Sequence, residues 1–313
     1  MARNYVLQLS EIEKKDFNTV GEKSYHLSEI IRLNIPVPNG FVLTIKGFEK
    51  FLEANNLKQK IEDALKDFDS SPKEVSESIQ DIILKSNIVE EIRSELIEEY
   101  SNMNILPLQT QDPKIINMIS AGRGNVTVAV RSSPLVTGTQ ETSFINVKGK
   151  EDLIESVKRC WADFFDAEKL QNRLKNGLNL YGIAVIIQKM IDSEKSGFIK
   201  PSEDKIEIES VWGLSESLSK KQVQPDTYVV SNNKNIVKVS VTKKDRMIAK
   251  DMATNIISEM PVPKSKVDVQ VLEEEEILEL ADYAKRIEGQ FNYRFNIEFA
   301  VERNKIFLIE TRK

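Results

Sequence analysis

Acidic, amide and basic side chains alternate with apolar ones in two strand-like runs near the end of the chain, residues 295–301 and 306–312. Strands with one buried face show this period of two. In a hairpin of the two runs, four polar side chains share one face: Asn296, Glu298, Glu310 and Arg312. Neighbouring carboxylates repel each other unless a cation lies between them, and two carboxylates with an amide oxygen suit Mg2+. The cluster therefore indicates either a Mg2+ site or an exposed face on which Arg312 is the counter-ion.

The register of this hairpin depends on the turn that joins the two runs. A three-residue turn of 303–305 sets Glu298 opposite Glu310 and Phe299 opposite Ile309, so that the polar faces and the apolar faces both agree. A two-residue turn would set Glu298 opposite Ile309 and mix the faces. The sequence therefore predicts the three-residue turn.

Two other segments carry a basic residue at a junction between elements. Arg131 follows the strand-like run 126–130, and we expect it to end that strand and open a loop rich in Ser and Thr. Such loops present N–H groups and hydroxyls to phosphate oxygens, and arginine pairs with phosphate at two points. Lys23 lies at the start of a helical pattern. Neither segment is specific alone, because Arg-Ser-Ser turns are common and a lysine in a first helical turn is usually solvated.

The composition limits the classes of function. The chain has 313 residues, 40% hydrophobic and 30% charged, which supports a globular protein of one large domain or two lobes. The net charge is −5 with interleaved signs, so nothing indicates nucleic-acid binding. The single cysteine, Cys160, excludes an internal disulfide and a cysteine metal cluster. The single histidine, His26, argues against Ser-His-Asp chemistry and histidine-rich zinc sites, and we interpret it as a structural or surface residue.

The coarse pattern is one of mixed helices and strands. No apolar stretch reaches about 18 residues and no cleavage signal is present, so we expect a cytoplasmic protein without a membrane span. Apolar spacing predicts helices over 21–33, 46–54, the whole of 57–120, 152–165 and 272–290. It predicts strands over 5–9, 41–44, 126–130, 144–147, 182–188, 197–199, 205–211, 227–230 and 236–241. We place a lobe boundary near residue 190, giving lobes 1–190 and 191–313.

Segments along nearly the whole chain resemble, in order, the N-terminal ATP-binding module of the pyruvate phosphate dikinase and phosphoenolpyruvate synthase family. They are VGEKSYHLSEI, IPVPNGFVLT, VAVRSS, TGTQETSFINVKG, VKRCWADFF, AVIIQKM, IEIESVWGLSES, VQPDTYVV, EEEEILELADYAKRIE and FNIEFAVERNKIFLIETR. The resemblance implies an α+β fold of the ATP-grasp type, two-lobed and nucleotide-binding, with a helical N-terminal region. It also implies that residues 1–313 form a single ATP-binding module.

The resemblance assigns roles to individual residues. Lys23, Arg131 and Arg312 match positions that act on the phosphates and are the expected catalytic residues. The expected ATP-binding set is Lys23, Arg131, Gly138, Thr142, Gln188, Glu209, Val211, Glu298, Glu310 and Arg312. Within it, Gly138 and Thr142 match a glycine-rich loop over the phosphates, and Gln188, Glu209 and Val211 match positions near the base. The expected Mg2+ ligands are Asn296, Glu298 and Glu310.

The sequence departs from the family pattern at two of these residues and at the neighbour of a third. Glu22 stands where the family usually has a second glycine. Asn296 replaces an acid and Glu310 replaces a glutamine, so one carboxylate is lost and one is gained. The charge of the expected metal site is therefore kept.

The resemblance implies a dikinase-type phosphotransferase that uses ATP and Mg2+ and phosphorylates a histidine on a separate swivelling domain. No run of this chain matches that domain, so we expect it in cis in a longer protein or in trans on a partner chain. Two alternatives remain open. One is a regulatory module that senses ATP without turnover, and the other is a different ATP-grasp reaction such as carboxylate activation. No nucleic-acid or membrane partner is expected.

Overall fold

The computed structural model describes residues 5–103, 126–136, 142–219, 222–251 and 254–312. The chain divides into two compact units. The first consists of Met1–Ser28 and Asn39–Met190, and the second of Glu29–Pro38 and Ile191–Lys313. Both units combine helices with an antiparallel sheet, which confirms the predicted α+β class. The second unit also takes in Glu29–Pro38, which the sequence had not suggested.

The first unit is built on a five-stranded antiparallel sheet with the strand order β1-β2-β5-β3-β4. Its strands are β1 (Val6–Gln8), β2 (Gly40–Leu43), β3 (Thr127–Pro134), β4 (Ser143–Lys148) and β5 (Ile183–Lys189). A 3-10 turn, Lys14–Asp16, precedes α1 (Phe17–Arg32), and the boundary between the units falls within α1. The other helices are α2 (Ile45–Ala54), α3 (Leu57–Leu65), α4 (Pro72–Lys85), α5 (Glu90–Asn102), α6 (Lys150–Asp163) and α7 (Ala167–Lys175).

An aromatic cluster fills the core between the helices and the sheet of the first unit. The Trp161 ring lies 5.2 Å from the Phe48 ring and 4.7 Å from the Phe51 ring, and all three side chains are fully buried. Aromatic side chains bury large areas, so they dominate the energy of such a core. α2 and α6 pack on the sheet through this cluster. Of the predicted helical stretch 57–120, the part beyond Met103 lies outside the described residues.

The second unit is built on a six-stranded antiparallel sheet with the order β13-β12-β6-β7-β8-β9 and a separate β10-β11 hairpin. The strands are β6 (Lys195–Pro201), β7 (Lys205–Trp212), β8 (Asp226–Ser231), β9 (Ile236–Ser240), β10 (Arg246–Lys250), β11 (Ile257–Pro261), β12 (Asn296–Glu302) and β13 (Lys305–Arg312). The helical elements are α8 (Glu216–Ser219), a 3-10 turn (Lys264–Lys266) and α9 (Glu274–Phe291). None of the helices in the described ranges is both long and apolar enough to cross a membrane.

Helix α9 covers one face of the six-stranded sheet. A capping box closes its N-terminus, where the Glu273 N–H donates to the Glu276 carboxylate at 2.8 Å, and Asn292 ends it in the left-handed conformation. Its buried residues, including Ile277 and Leu280, join the apolar side chains of β6, β7, β12 and β13 in one core. In β12, Asn296 and Glu298 alternate with these apolar residues and therefore lie on the opposite face of the sheet.

Candidate functional site

The hairpin β12–β13 pairs its polar residues as the sequence predicted. Glu298 lies opposite Glu310, and Asn296 lies opposite Arg312. The predicted turn is wrong, however, because Glu302 pairs with Lys305 and the turn therefore has only two residues. Those residues, Arg303 and Asn304, have φ angles of 50° and 59°, as the two-residue turns that join twisted strands require.

A β-bulge compensates for the shorter turn. Register shifts between Glu298 and Phe299, so that Phe299 faces Leu308 and Ile309 is the additional residue. The predicted pairing of Phe299 with Ile309 is therefore wrong. Because the turn has two residues, Ile306 and Leu308 lie opposite Val301 and Phe299, point into the core and are 3% and 0% exposed.

Arg312 holds the two carboxylates of this face together. Its Nη2 lies 3.0 Å from Oε2 of Glu310 and 3.5 Å from Oε2 of Glu298. The other oxygen of Glu298 accepts a hydrogen bond from the Ser215 hydroxyl at 2.5 Å. Glu310 is buried, which raises the pKa of its carboxyl, while the charge of Arg312 opposes that shift. The guanidinium thus offsets part of the cost of placing the two acids side by side.

The donor atoms of this face fit Mg2+. Two carboxylates and the Asn296 amide are hard oxygen ligands, and Mg2+ usually keeps part of its shell for water or phosphate oxygens. Among the described residues, no group of three or more His, Cys, Asp or Glu side chains could hold a metal ion. Glu298, Glu310 and Asn296 would leave positions of a Mg2+ shell for other oxygen ligands.

The predicted base-side residues of the second unit lie on β7. Glu209 pairs with Phe198 of β6 and forms a salt bridge with Lys200 at 2.5 Å. Val211 pairs with Ser196 and is buried. Since Glu298 also pairs with Phe198, Glu209 and Glu298 flank that ring on the same face of the sheet.

In the first unit, Arg131 occupies the interior of a strand. Strand β3 continues to Pro134, and Arg131 pairs with Ile186 of β5. The prediction that Arg131 ends the strand is wrong, because the segment after it stays hydrogen-bonded to β5 as far as Ile183. Gln188 pairs with Ala129, so it shares a face of the sheet with Arg131 and is 1% exposed.

Lys23 lies in the first turn of the continuous part of α1. The backbone breaks at Gly21, with φ 77° and ψ 165°, and the helix proceeds from Glu22. Lys23 is 7% exposed. His26, predicted to be structural or on the surface, is buried, and its Nε2 lies 3.8 Å from Oε1 of Glu22.

Thr142 is tied into a polar network of the first unit. Its backbone N–H donates to the Ser132 hydroxyl at 3.1 Å, and its own hydroxyl donates to the Asp163 carboxylate. Lys169 Nζ lies 3.1 Å from the Thr142 hydroxyl and also pairs with Asp163. The other predicted loop residue, Gly138, lies outside the described residues.

The sequence interpretation missed two serines that contact these sites. Ser215 bonds to Glu298, and Ser133 bonds to the turn before Lys23. The only signals were the serines in WGLSES and RSS, and serine is too common for either to be assigned without the fold.

Comparison with known proteins establishes the family. The family model for the pyruvate phosphate dikinase AMP/ATP-binding domain matches residues 17–313, and the chain belongs to this family. It is similar to the probable phosphoenolpyruvate synthase of Methanothermobacter thermautotrophicus, with 31% identity covering 98% of this chain and 46% of the relative. The probable phosphoenolpyruvate synthase of Archaeoglobus fulgidus is 33% identical, covering 98% of this chain and 41% of that protein. The chain thus spans less than half the length of these relatives.

Solved structures resemble the chain only weakly. D-alanyl-alanine synthetase A from Vibrio cholerae matches with 11% identity and a TM-score of 0.26, covering 70% of this chain and 53% of that one. The ATP-grasp ligase PsnB matches with 10% identity and a TM-score of 0.23, covering 80% of this chain and 65% of that one. Similarity at this level shows nothing about function, and the nucleotide-binding assignment rests on the family.

Proposed function

We propose that the chain binds Mg-ATP and starts phosphoryl transfer to a histidine on a separate swivelling domain, carried in cis or by a partner chain. The observation that carries this proposal is the polar face of hairpin β12–β13, where Glu298 and Glu310 lie opposite each other and Arg312 contacts both. Membership of an ATP-binding family supports the choice of nucleotide. The activity would be that of a dikinase-like phosphotransferase with paired acceptors.

The second unit would hold Mg2+ through Glu298, Glu310 and Asn296. When bound, the ion would supply positive charge beside the phosphates, where negative charge develops during phosphoryl transfer. Arg312 keeps the two carboxylates together, and its side chain is 51% exposed, so its remaining N–H groups can pair with a phosphate oxygen. Glu209 and Val211 of β7 would lie near the base.

The first unit would supply cations and hydrogen-bond donors to the nucleotide. Lys23 and Arg131 would neutralise the triphosphate, Thr142 and Gly138 would contact its oxygens, and Gln188 would lie near the base. These residues position groups and offset charge without forming a covalent intermediate, which is what phosphoryl transfer requires of a protein.

The decisive test is incubation of the chain with Mg2+ and ATP, with and without the remaining part of a full-length relative. We expect AMP and an acid-labile phosphohistidine only when both parts are present. Tight ATP binding without AMP formation in any mixture would contradict transfer and support an ATP-sensing module. One feature that favours this second candidate is Glu22, a carboxylate that lies buried beside Lys23.

Arginine variants with matched controls test the assigned roles. Arg312→Ala and Arg131→Ala should abolish AMP formation. Arg294→Ala in the second unit, which removes an exposed pair with Glu288, and Arg93→Ala in the first, which removes a pair with Glu151, should leave it unchanged. Equal activity in the site variants and the control variants would contradict the roles.

A further inference from the structure

A single buried hydroxyl joins the turn before Lys23 to the strand that carries Arg131. Ser133 Oγ donates to the Val20 carbonyl at 2.9 Å and accepts from the Ser24 N–H at 3.2 Å and the Ser24 hydroxyl at 2.9 Å. It therefore uses its one proton and both lone pairs. Ser133 and Ser24 are each 0% exposed. No solvent competes for these bonds.

The position of this hydroxyl is that of a missing helix cap. Gly21 is the last non-helical residue before the continuous helix, and Ser24 is therefore the third helical residue. The N–H at that position normally donates a hydrogen bond to the side chain of the N-cap residue. Gly21 has no side chain to do this. Instead, the Ser133 hydroxyl, on strand β3, accepts a hydrogen bond from the Ser24 N–H. A tertiary contact thus replaces the local cap.

Close approach of the two backbones makes glycine necessary at position 21. A Cβ there would lie 2.1 Å from the Ser133 carbonyl oxygen, and the φ of 77° is one that other residues rarely adopt. The turn is therefore pressed against the strand two residues beyond Arg131. The same contact lies two residues before Lys23.

We propose that Ser133 is a positioning residue that sets the helix of Lys23 against the strand of Arg131, so that both cations are placed for one polyphosphate. The inference rests on the proposed function, since it concerns how that site is held. It assigns no contact between Ser133 and the nucleotide. Loss of the hydroxyl should misplace the two cations and weaken the binding of phosphate groups, with little effect on the base and ribose.

The test compares Ser133→Ala and Ser24→Ala with Ser76→Ala, a control that removes another buried serine hydroxyl of the first unit, bonded to the Phe165 carbonyl at 2.7 Å. Calorimetry with Mg2+ gives the Kd for ATP and for adenosine. For Ser133→Ala we expect the ATP Kd to rise about tenfold or more and the adenosine Kd to change less than about twofold. Ser24→Ala keeps two of the three bonds and should give a smaller rise.

Hydrogen exchange supplies a readout that does not depend on ATP. In Ser133→Ala the Ser24 N–H loses its acceptor, so exchange in the segment 20–26 should become faster than in Ser76→Ala. Three results for Ser133→Ala would overturn the inference: an unchanged Kd for ATP, an equal loss of affinity for ATP and for adenosine, or an unchanged rate of exchange in the segment 20–26. A wild-type chain that binds no ATP would instead contradict the proposed function. If Ser133→Ala does not fold, the same comparison between Ser24→Ala and Ser76→Ala decides.

Discussion

A fully buried ion pair in the second unit gives the sharpest stability prediction. Lys244 and Asp226 form a salt bridge in which the side chains are 1% and 0% exposed. Asp226 also accepts from the Thr242 N–H at 2.8 Å, the Val271 N–H at 2.9 Å and the Tyr228 hydroxyl at 3.3 Å. The carboxylate thus connects β8 to the segments before β10 and before α9.

The two single variants should differ in cost. Asp226→Asn leaves the Lys244 ammonium buried without a carboxylate, which costs about 3–5 kcal/mol in comparable pairs. Lys244→Met leaves a carboxylate that keeps both backbone N–H donors, so we expect a smaller loss of about 2 kcal/mol. The double variant should lose less than the sum, because neither charge is then left alone.

The two tryptophans allow unfolding of the second unit to be followed by itself. Trp161 lies in the first unit and Trp212 in the second, and the chain has only these two. In a Trp161→Phe background, fluorescence reports on Trp212, which is 7% exposed and donates to the Lys266 carbonyl at 3.1 Å. Urea titration at pH 7 then gives the free energy of unfolding from the midpoint and slope.

A control variant separates burial from charge. Lys234→Met removes a salt bridge to Asp282 whose side chains are 58% and 36% exposed, and should change the free energy of unfolding by less than about 1 kcal/mol. Losses in Asp226→Asn and Lys244→Met as small as that of Lys234→Met would refute the reasoning. So would additive losses in the double variant.

Three further predictions concern single side chains. Ser215→Ala removes the donor that orients Glu298 and should raise the Mg2+ concentration needed for half-maximal ATP binding by about tenfold, as measured by calorimetry. Burial raises the pKa of Tyr228 from 10.0 to about 12, so the free energy of unfolding should fall as the pH rises between those values, where only the unfolded phenol ionises. In Tyr228→Phe, the free energy of unfolding from urea titrations should fall less steeply with pH over the same range. Burial also raises the pKa of the Cys160 thiol, so a thiol reagent should label Cys160 only as fast as the first unit unfolds, as followed by mass spectrometry.

The sequence predicted most elements of both units to within a few residues, because their apolar periods are strong. It failed where a choice depended on contacts distant in sequence. Arg131 was predicted to end its strand because Ser and Thr follow it, whereas pairing with β5 extends the strand to Pro134. The contact between Ser24 and Ser133 spans 109 residues and leaves no local pattern.

The hairpin β12–β13 shows why a correct pairing can follow from an incorrect turn. The pairing of Glu298 with Glu310 was chosen because it put polar residues together. All residues from Ile306 to Ile309 are apolar, so the sequence does not say which of them face the core. The predicted turn was one residue too long and the bulge went unpredicted, and the two errors cancel between Glu298 and Glu310.

The bulge, rather than the turn, therefore places the acids beside Arg312. With a two-residue turn and no bulge, Glu298 would face Ile309, and Glu310 would point to the opposite face, which α9 covers. One additional residue returns Glu310 and Arg312 to the face of Glu298 while Leu308 stays in the core at 0% exposure. The strand can thus serve an apolar core along one half and a charged cluster along the other, and the point where it changes is Ile309.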